Sequence, residues 1–169
     1  DFLDLMNFHG ERTSDRTDCN DNVACSSADD WGDQVDAVVM VSGGGGVCSA
    51  AIVNNTAFDL EPYIIYAAHC NGGSSTVYFN YQSNSCSGNN PGNYNTMSGT
   101  QTLAVGNFNN NDYALIKLNN DIPGSYGAYY AGWSRSTSSP GNNVVGIHHA
   151  DGDIKKISYD AYGMGSSGN

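Results

Sequence analysis

Tyr63-Ile64-Ile65-Tyr66-Ala67-Ala68-His69-Cys70 carries the clearest fold signal in the chain. Four aromatic and β-branched residues in a row have no helical period and suit a buried strand. Two small alanines then end the strand, and a histidine and a cysteine follow at its tip. Outward from this strand the same texture repeats. Upstream, Val35 with residues 37–41, and then residues 47–53, predict two strands joined by the glycine loop of residues 43–46. Downstream, residues 76–81 alternate apolar with polar, as a half-buried strand does. Residues 101–105 and 112–118 predict two more strands. Residues 143–149 and 154–159 flank Ala150-Asp151-Gly152-Asp153, and Asp-Gly is a strong hairpin signal. No window of helical length carries a clean 3.6-residue period, and no segment repeats. The class is all-β.

Composition agrees. Gly (21) is abundant, and Tyr (11) outnumbers Phe (5) and Trp (2) together, so strand formers are separated by turn formers. Apolar residues make up 39% of the 169, which is enough for a core and excludes a disordered tail. Lys and Arg number 6 against 17 Asp and Glu, a formal charge of −11. Six dispersed cations build no basic face, so neither a nucleic-acid partner nor an anionic membrane surface is expected. The longest apolar runs, 37–41 and 63–68, fall far short of the ~20 residues that span a bilayer. No basic segment followed by an apolar one opens the chain, so a secreted protein whose signal peptide is already removed is expected. Five cysteines fit an oxidising compartment. The odd number leaves either a free thiol or a partner outside this chain.

Three positions invite chemistry. His69, at the end of its strand, is either a satisfied structural residue or a general base. Asn109-Asn110-Asn111-Asp112-Tyr113-Ala114-Leu115 places one carboxylate where a polar loop gives way to an apolar strand. Asp112 there either caps a turn or accepts from an imidazole N–H, fixing its tautomer. Gly165-Ser166-Ser167-Gly168-Asn169 offers a serine in a tight turn, with the N–H groups of Gly165 and Ser167 converging on an oxyanion. The same residues also describe a flexible tail. His, then Asp, then Ser is the chain order of the chymotrypsin-type triad.

With these residues, Cys48-Ser49-Ala50-Ala51-Ile52-Val53-Asn54-Asn55-Thr56, Ala67-Ala68-His69-Cys70, Asn80-Tyr81-Gln82, Asp112-Tyr113-Ala114-Leu115, Ala131-Gly132-Trp133, Ile147-His148-His149 and Lys155-Lys156-Ile157-Ser158 resemble bacterial lysyl endopeptidases. The likeness runs from about Cys19 to Ser158. It implies secreted serine proteases of the trypsin-like fold, two β-barrels with the site between them, acting on protein or peptide substrates after basic residues, Lys above all. It implies His69 as base, Asp112 as its orienting carboxylate, Ser167 as nucleophile and no cofactor. It also implies the bridges Cys48–Cys70 and Cys25–Cys86, with Cys19 joined to a cysteine beyond the nucleophile. A Cys48–Cys70 bridge would hold the turn that carries His69. The chain departs from the family in a short segment between Ser158 and Gly165, in a longer arm before Cys19, and in Tyr66, where the family carries Thr.

The resulting expectation has three parts: a polar N-terminal arm and surface loop over residues 1–34, a first barrel over 35–120 carrying His69 and Asp112, and the beginning of a second barrel over 121–169 with the serine motif. A missing C-terminal part or second chain bridged through Cys19 is an expected partner. The alternative is a catalytically inactive extracellular binding or assembly protein that keeps the fold. Asp15, Asp18, Asp21, Asp29, Asp30, Asp33 and Asp36 lack the spacing of a calcium loop. The glycine run lacks the Lys-Ser/Thr of a phosphate loop. Neighbouring His148 and His149 point to opposite faces of a strand, so a metal pair is awkward and none is expected.

Overall fold

Residues that alternate between apolar and polar become strands whose apolar side chains all face one way. In the computed structural model, which describes residues 20–161 apart from 45, 74, 108, 110, 137, 139 and 140, this rule builds one large antiparallel sheet. Its strands are β2 (Val38–Gly43), β3 (Gly46–Val53), β4 (Tyr63–Tyr66), β5 (Thr76–Phe79), β6 (Asn95–Ser98), β7 (Thr100–Val105) and β8 (Ala114–Leu118). Across the sheet they run β6-β5-β2-β3-β4-β8-β7. The two outermost members are consecutive in the chain, separated only by Gly99, so the sheet curls into a barrel whose ends are two arms of one bent strand. The corner requires glycine. Gly99 has φ +91°, and an added Cβ would meet Asn119 Nδ2 at 3.0 Å.

The inward-facing residues form a single core: Val39 and Val41, Ala50 and Ile52, Ile64 and Tyr66, Val77 and Phe79, then Ala114, Ile116 and Leu118. Each pair is spaced by two, as a strand demands. Burying one such large side chain contributes about 1.5–3 kcal/mol. The all-β expectation is met, with strands close to the predicted ones. β6 is an addition, because Asn95-Thr96-Met97-Ser98 carries only one apolar side chain to signal it.

A second sheet, ordered β1-β10-β9, joins the two ends of the described chain: β1 (Asp21–Asn22), β10 (Lys156–Asp160) and β9 (Val144–His148). Asp21 lies opposite Ile157, and Asn22 opposite Lys156. A one-and-a-half-turn helix, α1 (Gly32–Ala37), packs here, and Ala28, Val35 and Ile157 make a small core with Val23, Trp31, Val145 and Ile147 around it. Where it is described, the N-terminal stretch, expected to be a polar arm and surface loop, contributes β1, the start of α1 and part of this small core. Val35 and Ala37 belong to α1 and not to the following strand.

Hydrogen bonding explains why so polar a segment packs. Asn22 is 6% exposed, and its side-chain amide donates to the carbonyls of Cys86 and Gly88, each at 2.7 Å. Its Oδ1 accepts from Lys156 Nζ at 2.5 Å. A buried amide with its partners made costs little to bury. The Cys25–Cys86 disulfide fastens the same stretch to the loop after β5.

Candidate active site

The pairing of β4 with β8 sets the site. Tyr66 lies opposite Ala114 at the last rung of that ladder. Beyond it one chain runs on to His69, and two residues before Ala114 stands Asp112. The register thus brings both to one rim of the barrel. After Tyr66 the backbone closes a single 3-10 turn, Ala68–Cys70, with Cys70 N–H donating to the Ala67 carbonyl (3.1 Å) and Asn71 N–H to that of Ala68 (2.9 Å).

Asp112 grips His69 twice. Its Oδ1 accepts the backbone N–H of His69 at 2.9 Å, and its Oδ2 lies 2.5 Å from Nδ1 of the ring. A carboxylate on Nδ1 holds the proton there, directs Nε2 away and stabilises an imidazolium when one forms. A third of the His69 side chain is exposed, against 18% of that of Asp112, so the ring borders solvent while its partner is half-buried.

Two further contacts hold the turn. Cys70 is disulfide-bonded to Cys48 on β3. The glycine loop between β2 and β3 lies across the residues after Cys70. A Cβ added at Gly72 would stand 2.0 Å from the backbone nitrogen of Gly44. These glycines permit two backbones to touch beside His69, a close approach that no other residue allows. Cys48, His69 and Cys70 also bring ligand-type atoms within 4.8 Å of one another, but the sulfurs are bonded to each other and offer no thiolate to an ion. Ser167, Gly165 and Cys19 lie outside the described residues.

A second polar cluster lies where the small sheet meets the barrel. His149 is 4% exposed, and its backbone N–H donates to Ser49 Oγ at 2.8 Å, next to Cys48. Its ring Nδ1 lies 2.9 Å from the Asp153 carbonyl oxygen, and Nε2 has no hydrogen-bond partner among the described residues. Burial, reinforced by the charge of Lys155, pushes this imidazole down to about 3. Burial also lowers His148. Lys155 is fully buried and donates from Nζ to the Val35 carbonyl of α1 at 2.7 Å. Burial brings that amine down to about 7, with Asp36 pulling the other way. For Asp36 itself burial raises the carboxyl more than Lys155 lowers it. Nothing in the sequence marks Lys155 as buried; the packing of α1 over it does.

The antiparallel barrel thus holds an imidazole and a carboxylate together at its rim, an arrangement in which the ring can hold a proton on one nitrogen and offer the other to a neighbouring group. The family model for the lysyl endopeptidase C-terminal domain matches residues 13–168. The chain belongs to the lysyl endopeptidase family. The two disulfides among the described residues fit an extracellular member of such a family.

Proposed function

We propose that the protein is a secreted serine endopeptidase. Ser167 Oγ attacks the scissile carbonyl while His69 Nε2 takes its proton, and the backbone N–H groups of Gly165 and Ser167 bind the oxyanion. The same proton then passes from His69 to the leaving amine, and a water repeats the cycle to release the acyl group. Asp112 keeps the ring in its tautomer throughout. The observation that carries this reading is the double contact of Asp112 with His69, to the backbone N–H and to Nδ1 at once. A carboxylate that merely capped a turn would need only the first.

Membership of the lysyl endopeptidase family supports a preference for cleavage after Lys, and a formal charge of −11 steers basic substrates toward the protein. Residues 35–120 form the part that carries base and carboxylate, residues 121–169 the part that carries the nucleophile, and Cys19 takes its partner from outside these residues. The test is labelling of the 169-residue chain with a fluorophosphonate, read by intact mass and peptide mapping. Modification at Ser167, slowed by competing lysyl esters more than by leucyl esters, is expected. A native protein that takes no label is instead a binding protein on a protease frame.

A further inference from the structure

His69 sits on a turn of only three residues, whose two internal hydrogen bonds fix its shape but not its tilt on the barrel. The tilt is set from outside. Asp112 holds the front of the turn and Cys48 its far end. A third tie comes from beneath. Tyr66 is wholly buried in the barrel core, and its phenolic O–H donates to Asn71 Oδ1 at 3.1 Å. That bond closes a loop around Ala67, Ala68, His69 and Cys70, joining the last residue of β4 to the first residue after the turn. Tyr66 is also the residue opposite Ala114, from which the chain leads back to Asp112. One side chain therefore refers the turn bearing the base to the strand pair that fixes the carboxylate.

We propose that Tyr66 is a positioning residue for His69, acting through Asn71 to hold the imidazole square to Asp112. This deepens the peptidase reading and rests on it for the role of His69. Tyr66 carries its hydroxyl far from the backbone, and so reaches past the turn to Asn71. Misplacing a catalytic group by a fraction of an ångström slows the reaction without weakening substrate binding.

Two variants separate positioning from folding. Tyr66→Phe keeps the ring in the core and removes the oxygen; Asn71→Ala removes the acceptor from a half-buried site and leaves the core untouched. Thermal melting reports whether each is folded. In each folded variant the downfield proton resonance between His69 Nδ1 and Asp112 is expected to move upfield or broaden. The rate constant of fluorophosphonate labelling should fall roughly three- to tenfold at an unchanged half-saturating concentration, and the double variant should fall no further than either single one. A folded Tyr66→Phe chain with wild-type resonance and labelling rate overturns the assignment, and Asn71→Ala decides it if Tyr66→Phe does not fold. If the wild-type chain takes no label but the resonance still moves in the variants, the peptidase reading fails and the positioning role stands.

Discussion

His69 and His149 each bring Nδ1 to an oxygen, yet the two sites do opposite things with the same ring. His69 faces a carboxylate at 2.5 Å and borders solvent; His149 faces a neutral carbonyl at 2.9 Å and is sealed beside the buried amine of Lys155. An imidazolium at the first site finds its counter-charge and water. At the second it would meet a like charge and neither of those. The partner and the burial, not the residue, decide which histidine has a counter-charge beside it and which serves as a neutral spacer between β3 and the small sheet.

The contrast breaks most sharply at Asp112. Asp112→Asn keeps the size and the contact to the backbone N–H but offers the ring an amide. Under the peptidase reading, turnover of a lysyl ester should fall by about 10³–10⁴, with the melting temperature little changed. A loss of less than tenfold would reduce the carboxylate to a turn cap.

For His149 the effect lies in stability against pH. Its folded-state value of about 3 is below the ordinary 6.5, so as pH falls through that window the unfolded chain takes up the proton first. Stability present above pH 6.5 is therefore lost on acidification, by on the order of 4 kcal/mol when pH 3 is reached. Urea midpoints measured across this range should fall for the wild type, and the fall should be shallower in His149→Gln. Parallel curves for the two proteins would show that acid unfolding begins elsewhere.

The disulfides sharpen the comparison by a smaller margin. Cys25–Cys86 spans 61 residues and Cys48–Cys70 spans 22, so removing the longer bridge should cost about 0.5–1 kcal/mol more, within a cost of roughly 2–5 kcal/mol for each. Under the peptidase reading, labelling at Ser167 should rank them the other way, because only the shorter of the two holds the turn of His69. Alanine pairs at each bridge, compared by melting and by labelling rate, decide it. The same order in both measurements would separate the bridge from the site.

Much of this was legible in the sequence, for a physical reason. A barrel strand writes itself as alternation, so β2, β3, β4 and β8 could be read, and a polar residue at the end of such a strand stands out, as His69 and Asp112 do. What could not be read depends on partners distant in the chain. Lys155 is buried because α1 covers it, Gly72 must be glycine because Gly44 lies against it, and Asn22 is internal because Cys86, Gly88 and Lys156 meet its amide. The polar run before Val38 hid a helix and a strand, since its few apolar residues complete a core that β9 and β10 supply.

The pairing of β1 with β10 also imposes an order on biosynthesis. Asn22 leaves the ribosome more than a hundred residues before Lys156, its partner on the ladder. At about 5–20 residues per second that interval is on the order of ten seconds. Through all of it Val23, Ala28, Trp31 and Val35 lack the strands that will cover them, while the barrel can close as soon as β8 emerges. A segment made before the barrel strands is thus among the last to find its place, and in that interval it is open to holdase chaperones and to proteolysis.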